Sequence, residues 1–221
     1  WLLHLVAVRT AAEPAPFRAL VVCPKSVTHG WLTETARFTP ALAATAFTPA
    51  LAGASRPPQE FQLFVVNYTQ LRLHAGWFQQ HGWDAIILDE GQFIKNPTSQ
   101  VAAVARALPG RHRLVLTGTP IENRLTDLWS IFAFAQPGLL GTQAAFRRQY
   151  PEDDPAAHAR LHRRVRHFLL RRTKAQAAPD LPPRTEDEIV VELEGGQRKL
   201  YDAELKRARA QLLGVATDRA L

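Results

Sequence analysis

The sequence predicts an α/β fold built around a mainly parallel sheet. Two observations carry this. Short apolar runs alternate with stretches of helical periodicity along the first half of the chain, as repeated strand–helix–strand units do. Two of the runs, ending at Leu88 and Leu116, lie 28 residues apart, which suits one crossover of roughly 30 residues between parallel neighbours. Taken in order, the strands are Ala19–Cys23, a weaker Ala43–Phe47, then Leu63–Val66, Ala85–Leu88 and Leu114–Leu116. Between them lie helical patterns at Val27–Phe38, Thr69–Gln80 and Ser99–Leu108. The last sets Val101, Val104, Ala105 and Leu108 on one face, behind the lead-in turn and cap Asn96-Pro97-Thr98-Ser99. The stretch 50–58, rich in Ala, Gly and Pro, reads as an exposed loop.

After Asn123 the character changes. Leu125–Ala135 is apolar nearly all round and is expected to be buried, with Pro137-Gly138 ending it. Trp129 and Phe132 in it read as core. Pro151–Pro155 is an acidic turn. Ala156–Lys174 holds seven Lys or Arg and no acid, with Leu161, Val165 and Phe168 on one helical face. Alternation through Glu188–Glu194 predicts a further strand, and Tyr201, Leu205, Ala208 and Leu212 form a final helical stripe.

Composition narrows the class. The 221 residues are 46% hydrophobic and 21% charged, ordinary for a globular chain and unlike a disordered one. The longest uninterrupted apolar runs are five residues, short of the roughly 20 that span a bilayer. A single cysteine, Cys23, excludes an internal disulfide and a multi-cysteine metal site; it reads as a small buried apolar residue. The eight histidines show no metal spacing: His158 and His162 lack a third ligand. The balance is +7, with arginine supplying 22 of the 27 positive charges, which suits a polyanionic partner. The chain opens on the apolar Trp1–Val6 without a methionine and ends within a helical pattern, as a piece of a longer protein would.

Two strand ends carry the chemistry. The apolar strand ending Ile86-Ile87-Leu88 stops abruptly at the carboxylates Asp89 and Glu90, and Leu114-Val115-Leu116 stops at Thr117-Gly118-Thr119-Pro120. In open parallel sheets ligands gather at the carboxyl ends of the strands, so both polar tips are expected to face one crevice. A carboxylate there can hold Mg²⁺ against phosphate oxygens. Its neighbour can orient or deprotonate an attacking water. The hydroxyls and backbone of Thr-Gly-Thr can sense a phosphate.

Asp89-Glu90-Gly91-Gln92 with Phe93-Ile94-Lys95-Asn96-Pro97 resembles motif II of the Snf-type (Swi/Snf) ATPases of helicase superfamily two. Leu116–Asn123 is similar to motif III of that family, and Val22–Ser26 with Trp31 to motif Ia. Val66-Asn67-Tyr68 resembles the segment near motif Ib. Asp127–Ser130, Pro137–Gly141, Phe168–Lys174, Leu181–Glu186 and Gln197–Tyr201 resemble later signatures in the family's order.

The resemblance implies an incomplete RecA-like P-loop NTPase lobe with a helical protrusion: residues 1–136 and 168–193 in lobe one, 137–167 and 194–221 in the protrusion. It further implies a DNA-dependent ATPase that moves along double-stranded DNA, with ATP and Mg²⁺ as cofactors and a second RecA-like lobe of the same parent chain as partner. A cytoplasmic, nucleoid-associated location in a bacterium and no membrane partner go with it. Asp89 and Glu90 would be catalytic, Asp89 binding Mg²⁺ and Glu90 positioning water. Gln92, Thr117, Gly118 and Thr119 would couple nucleotide state to DNA. Lys25, Ser26, Arg171, Arg172 and Lys174 would serve DNA binding, although Arg171 and Arg172 could instead brace the lobe.

One departure matters. The family holds phosphates with a P-loop, G-x-x-x-x-G-K-[ST], and none of the twelve glycines here precedes a lysine. These 221 residues alone are therefore expected not to hydrolyse ATP. Two rival readings stay open: an RNA helicase of the same superfamily, favoured less by Gly91-Gln92 and the Leu-Arg-Arg-Thr-Lys block, and a non-catalytic basic module binding nucleic acid or protein.

Overall fold

In the computed structural model the described residues are 2, 5, 17–53, 55, 57–58, 60–118, 124–178, 180, 182 and 185–218. Five parallel strands form one sheet: β1 (Ala19–Cys23), β2 (Ala44–Ala46), β3 (Leu63–Asn67), β4 (Trp83–Leu88) and β5 (Gly110–Val115), in the order β2-β3-β1-β4-β5. The register pairs Leu20 with Phe64 on one side and with Ile86 on the other. Because strand side chains alternate between faces, the central strands feed two cores. Leu20, Val22, Phe64, Val66, Ile86 and Leu88 pack on one face against Leu71, Phe78 and Phe134. Ala19, Val21, Cys23, Leu63, Val65, Ala85 and Ile87 pack on the other, with Trp31 and Leu32 against them. The α/β expectation holds.

Local chemistry explains the helices. α1 (Thr28–Phe38) follows β1 through a single 3₁₀ turn, Lys25–Val27. The expected helix at Thr69–Gln80 is two, α2 (Tyr68–Leu73) and α3 (Ala75–Gln80), broken at His74. Asn67 caps α2 by accepting from Gln70 N at 3.0 Å. Ser99 caps α4 (Gln100–Ala107), accepting from Ala102 N at 3.3 Å. Within the expected loop, Pro49–Gly53 forms a 3₁₀ helix.

A third core cluster lies in the later helices α5 (Leu125–Ala135), α6 (Gln143–Gln149) and α7 (Pro155–Val165), where Leu128, Phe132, Phe146, Tyr150, Leu161 and Val165 bury one another. Phe132 is core as expected. Trp129 is half-buried and donates to Gly141 O at 3.1 Å.

Three expectations need correction. β5 starts at Gly110, four residues before the apolar run, because Arg111 and His112 lie exposed on an edge strand where polar side chains meet solvent. Helix α7 stops at Val165 and a 3₁₀ turn spans Arg166–Phe168, so Phe168 leaves the apolar face and lies half exposed. It meets Phe132 edge-on, with centroids 6.5 Å apart. The alternating segment Glu188–Glu194 forms no strand: Ile189, Val190 and Val191 are each more than three-quarters exposed. Alternation yields a strand only where a neighbour supplies the ladder's hydrogen bonds, and no described residue pairs with it.

The chain divides into two compact units, Trp1–Leu169 and Leu170–Leu221. The second carries α8 (Lys174–Ala177) and the 24-residue α9 (Gly195–Asp218). Along α9 the side chains of Arg198 and Asp202 pair at 3.3 Å, one turn apart.

Candidate functional site

The two polar tips meet at the carboxyl edge of the sheet. Leu116 N donates to Leu88 O at 2.8 Å and Gly91 N to Leu116 O at 2.9 Å, so the chain leaving β5 continues the pairing beyond β4. Side chains then link across. Gln92 Nε2 donates to Glu90 Oε2 at 2.8 Å, and Thr117 Oγ1 donates to Gln92 Oε1 at 2.9 Å. Glu90, Gln92 and Thr117 thus form one hydrogen-bonded chain, each of them half-buried. Of the remaining expected residues, Gly118 follows exposed, and Thr119 lies outside the described residues.

Asp89 is held from two other elements and by its own neighbour. Its Oδ2 accepts from the indole Nε1 of Trp31 in α1 at 2.8 Å, and its Oδ1 from Glu90 N at 3.0 Å. Its backbone carbonyl accepts from the Tyr68 hydroxyl at 2.7 Å. Trp31 and Tyr68 were legible only as family signatures; partners 58 and 21 residues away are a tertiary fact. Each Asp89 oxygen has a second lone pair left, and a pair of adjacent carboxylates is a hard oxygen set that fits Mg²⁺. Asp89 is the residue that would hold such an ion, directly or through water.

The turn that presents Glu90 is tight. Glu90 takes φ 51°, the left-handed region, which costs a non-glycine residue about 1 kcal/mol; such strain gathers at functional sites. Gly91 follows because nothing larger fits: a Cβ there would run into Val115 Cγ1. Gly91→Ala is expected to lower stability by about 1–3 kcal/mol, the range for overpacking, and to disturb the Glu90–Gln92 pairing. Urea denaturation checks the first; an unchanged midpoint would mean that Val115 yields freely.

Burial, helped by the negative charge of Asp89, pushes the Tyr68 phenol well above its ordinary value. Burial likewise raises the Cys23 thiol, against a weak bond to Thr28 at 3.7 Å. Both groups keep their protons in the folded chain at a pH where the unfolded chain loses them. Stability is therefore expected to fall as pH rises past about 9–10, by up to about 1.4 kcal/mol per pH unit per group. Tyr68→Phe should flatten the alkaline limb of a denaturation midpoint measured against pH.

Lys25 and Ser26 lie exposed in the turn after β1, on the same carboxyl edge. Lys25 lines a cavity of about 400 Å³ with Asn67, Tyr68, Thr69 and Phe93. There Phe93 stacks on Tyr68, centroids 4.7 Å apart and planes 8° from parallel. Arg171 and Arg172 are exposed and lie, with Lys174, in the second unit.

A family model described as SNF2-related domain matches residues 3–219. The chain belongs to that family. This SNF2-related domain is 31% identical over 207 residues to TATA-binding protein-associated factor BTAF1 of Arabidopsis thaliana, covering 84% of this chain and 10% of that protein. It is 34% identical over 187 residues to the ATP-dependent helicase MG018 of Mycoplasma genitalium, covering 83% and 18%. Among solved structures it matches the SWI2/SNF2 ATPase core of Sulfolobus solfataricus in complex with dsDNA, with a TM-score of 0.70 and 32% identity over 80% of this chain and 38% of that one. The domain therefore spans between a tenth and a fifth of the length of these two curated relatives. No described helix is long and apolar enough to cross a membrane.

Proposed function

We propose that the protein carrying this SNF2-related domain is an ATP-dependent translocase on double-stranded DNA, and that the domain supplies the metal-side half of its ATP site. One observation carries the reading: the Asp-Glu tip of β4 and the Thr tip of β5 are joined through Gln92 into a single hydrogen-bonded unit. Bound ATP with Mg²⁺ would supply the phosphoryl chemistry and the free energy of hydrolysis. The chain's own residues orient and relay. Asp89, fixed by Trp31 and Tyr68, presents a carboxylate whose position is set by two other elements. Glu90 offers an acceptor for a proton of an attacking water, and Gln92 ties its carboxylate to Thr117.

A change at Thr117 would thus be felt at Glu90 through two hydrogen bonds. Lys25 and Ser26, on the same edge, would contact a phosphate backbone. Trp31, six residues after Lys25 and bonded to Asp89, offers a short route between the two. The likeness to a SWI2/SNF2 core in complex with dsDNA supports duplex DNA as the substrate. Such a substrate would place the protein of a bacterial source in the cytoplasm with the nucleoid.

The reading is tested by ATP hydrolysis of the full-length parent with duplex DNA and with single-stranded RNA. Stimulation by the duplex is expected; stimulation by RNA alone would assign the protein to the RNA helicases. Thr117→Val, which removes the donor to Gln92, is expected to leave basal hydrolysis within a few-fold while cutting its stimulation by DNA. Equal loss of both rates would remove the relay from the argument.

A further inference from the structure

We infer that the exposed face of α7 and the 3₁₀ turn after it is a second contact surface for a duplex phosphate backbone, in addition to Lys25 and Ser26. The inference rests on the proposed function for its choice of nucleic acid, and on the following geometry for its place.

Helix α7 turns Ala157, Leu161 and Val165 into the third core cluster. That spacing of four leaves the other faces to solvent, and they carry Arg160, Arg163 and Arg164, with Arg166 exposed in the turn that follows. His158, His162 and His167 lie between them, also exposed. Arg160 is engaged: it pairs with Asp154 at 3.5 Å and reaches Gln149 O at 3.5 Å. The second contact ties α7 to the end of α6, whose last turn adds exposed Arg147 and Arg148. Arg163 and Arg164 have no ion-pair partner among the described residues.

The acids nearby are Glu152, Asp153 and Asp154 in the turn before α7. Asp154 is occupied twice, capping the helix through Ala156 N at 2.8 Å and pairing with Arg160. Residues 155–178 contain no acid at all. The surface thus holds cations in excess of its local anions.

The chemistry of that face selects its partner. Protein interfaces draw their affinity from buried aromatic and aliphatic anchors. The exposed positions of α7 hold only Arg, His, Ala and the N-terminal Pro155, so the helix offers no such anchor; the turn's half-exposed Phe168 is engaged edge-on with Phe132. Phosphate backbone contact needs none: it needs planar forked donors and released counterions. Eleven residues at 1.5 Å each give a helix roughly 16 Å long, enough to lie along one flank of a duplex.

The test is binding of the 221-residue chain to a labelled duplex of about 20 base pairs, followed by anisotropy between about 50 and 200 mM salt. The triple variant Arg163→Gln, Arg164→Gln, Arg166→Gln removes three exposed cations and no core contact. Each lost phosphate contact lowers the slope of log affinity against log salt by about 0.9. Over that fourfold salt range the unaltered chain should therefore lose about 40-fold more affinity than the variant. Lysine at the same three positions should restore the slope, since charge is retained; failure to do so, with far-ultraviolet dichroism unchanged, would overturn a counterion-release surface.

Identical slopes and affinities for the unaltered chain and the glutamine variant would overturn the inference. If Lys25→Gln weakens binding in that case, the proposed function stands without it. A polyglutamate peptide bound as tightly as the duplex would also overturn it, assigning the face to an acidic protein. Arginine-dependent duplex binding, with no DNA stimulation of the parent's hydrolysis, would uphold this surface and sink the proposed function.

Discussion

Glu90→Gln in the full-length parent should reduce ATP turnover by about 10²–10⁴-fold, the contribution of a positioned general base, while nucleotide affinity stays within a few-fold. The two effects separate because of what Glu90 touches. Its Oε2 accepts from Gln92 at 2.8 Å, a bond that a glutamine carbonyl at position 90 can also accept. The turn, the relay to Thr117 and the Asp89 carboxylate therefore survive the substitution, and only the proposed proton acceptor goes. Single-turnover hydrolysis and a nucleotide titration on the same preparation measure the two quantities. A parallel fall in both would mean that Glu90 holds nucleotide or structure and does not position water.

The second large effect concerns the 221 residues by themselves. They are expected to release no phosphate from ATP above background, with or without duplex DNA. In the proposed role Asp89 would serve the metal and Glu90 the attacking water, and no glycine in the chain is followed by the lysine that a phosphate cradle uses. Charge-assisted hydrogen bonds contribute about 1.5–3 kcal/mol each. Millimolar affinity amounts to only about 4 kcal/mol, so losing two or three such contacts removes ordinary binding. Isothermal titration with Mg·ATP should show no saturation below the millimolar range. DNA-stimulated turnover by this chain would require phosphate-holding residues elsewhere in it.

Much of the site was legible in residues alone. An Ile-Ile-Leu run that stops at two carboxylates, and a Leu-Val-Leu run that stops at Thr-Gly-Thr, identify two strand ends with chemistry on them, because a buried strand has no use for such residues until it leaves the core. Ser99 and Asn96 announced their helix by local chemistry, since a cap is a contact over three residues. Cys23 read as buried and is buried.

The failures share a cause. Glu188–Glu194 alternates as a strand should, yet pairing is a property of two segments, and no described segment pairs with it. Arg111 and His112 do not look like strand residues, but β4 supplies the ladder that makes them so. Phe168 fitted a helical stripe that ended three residues too early to keep it on the apolar face.

The order of motifs along the chain carries the likeness to one family; what else the amino-acid order alone determined is set by near neighbours: the strand cores, the caps, the acidic and hydroxyl tips and the cationic stretch. Those follow from periodicity, local hydrogen bonding and charge, which act within a turn or two of chain. Tertiary structure alone decided that Trp31 and Tyr68 hold Asp89 and that Gln92 joins Glu90 to Thr117. These contacts link segments tens of residues apart. Their geometry comes from the parallel register of β1, β3, β4 and β5 and from packing, and no local pattern encodes either.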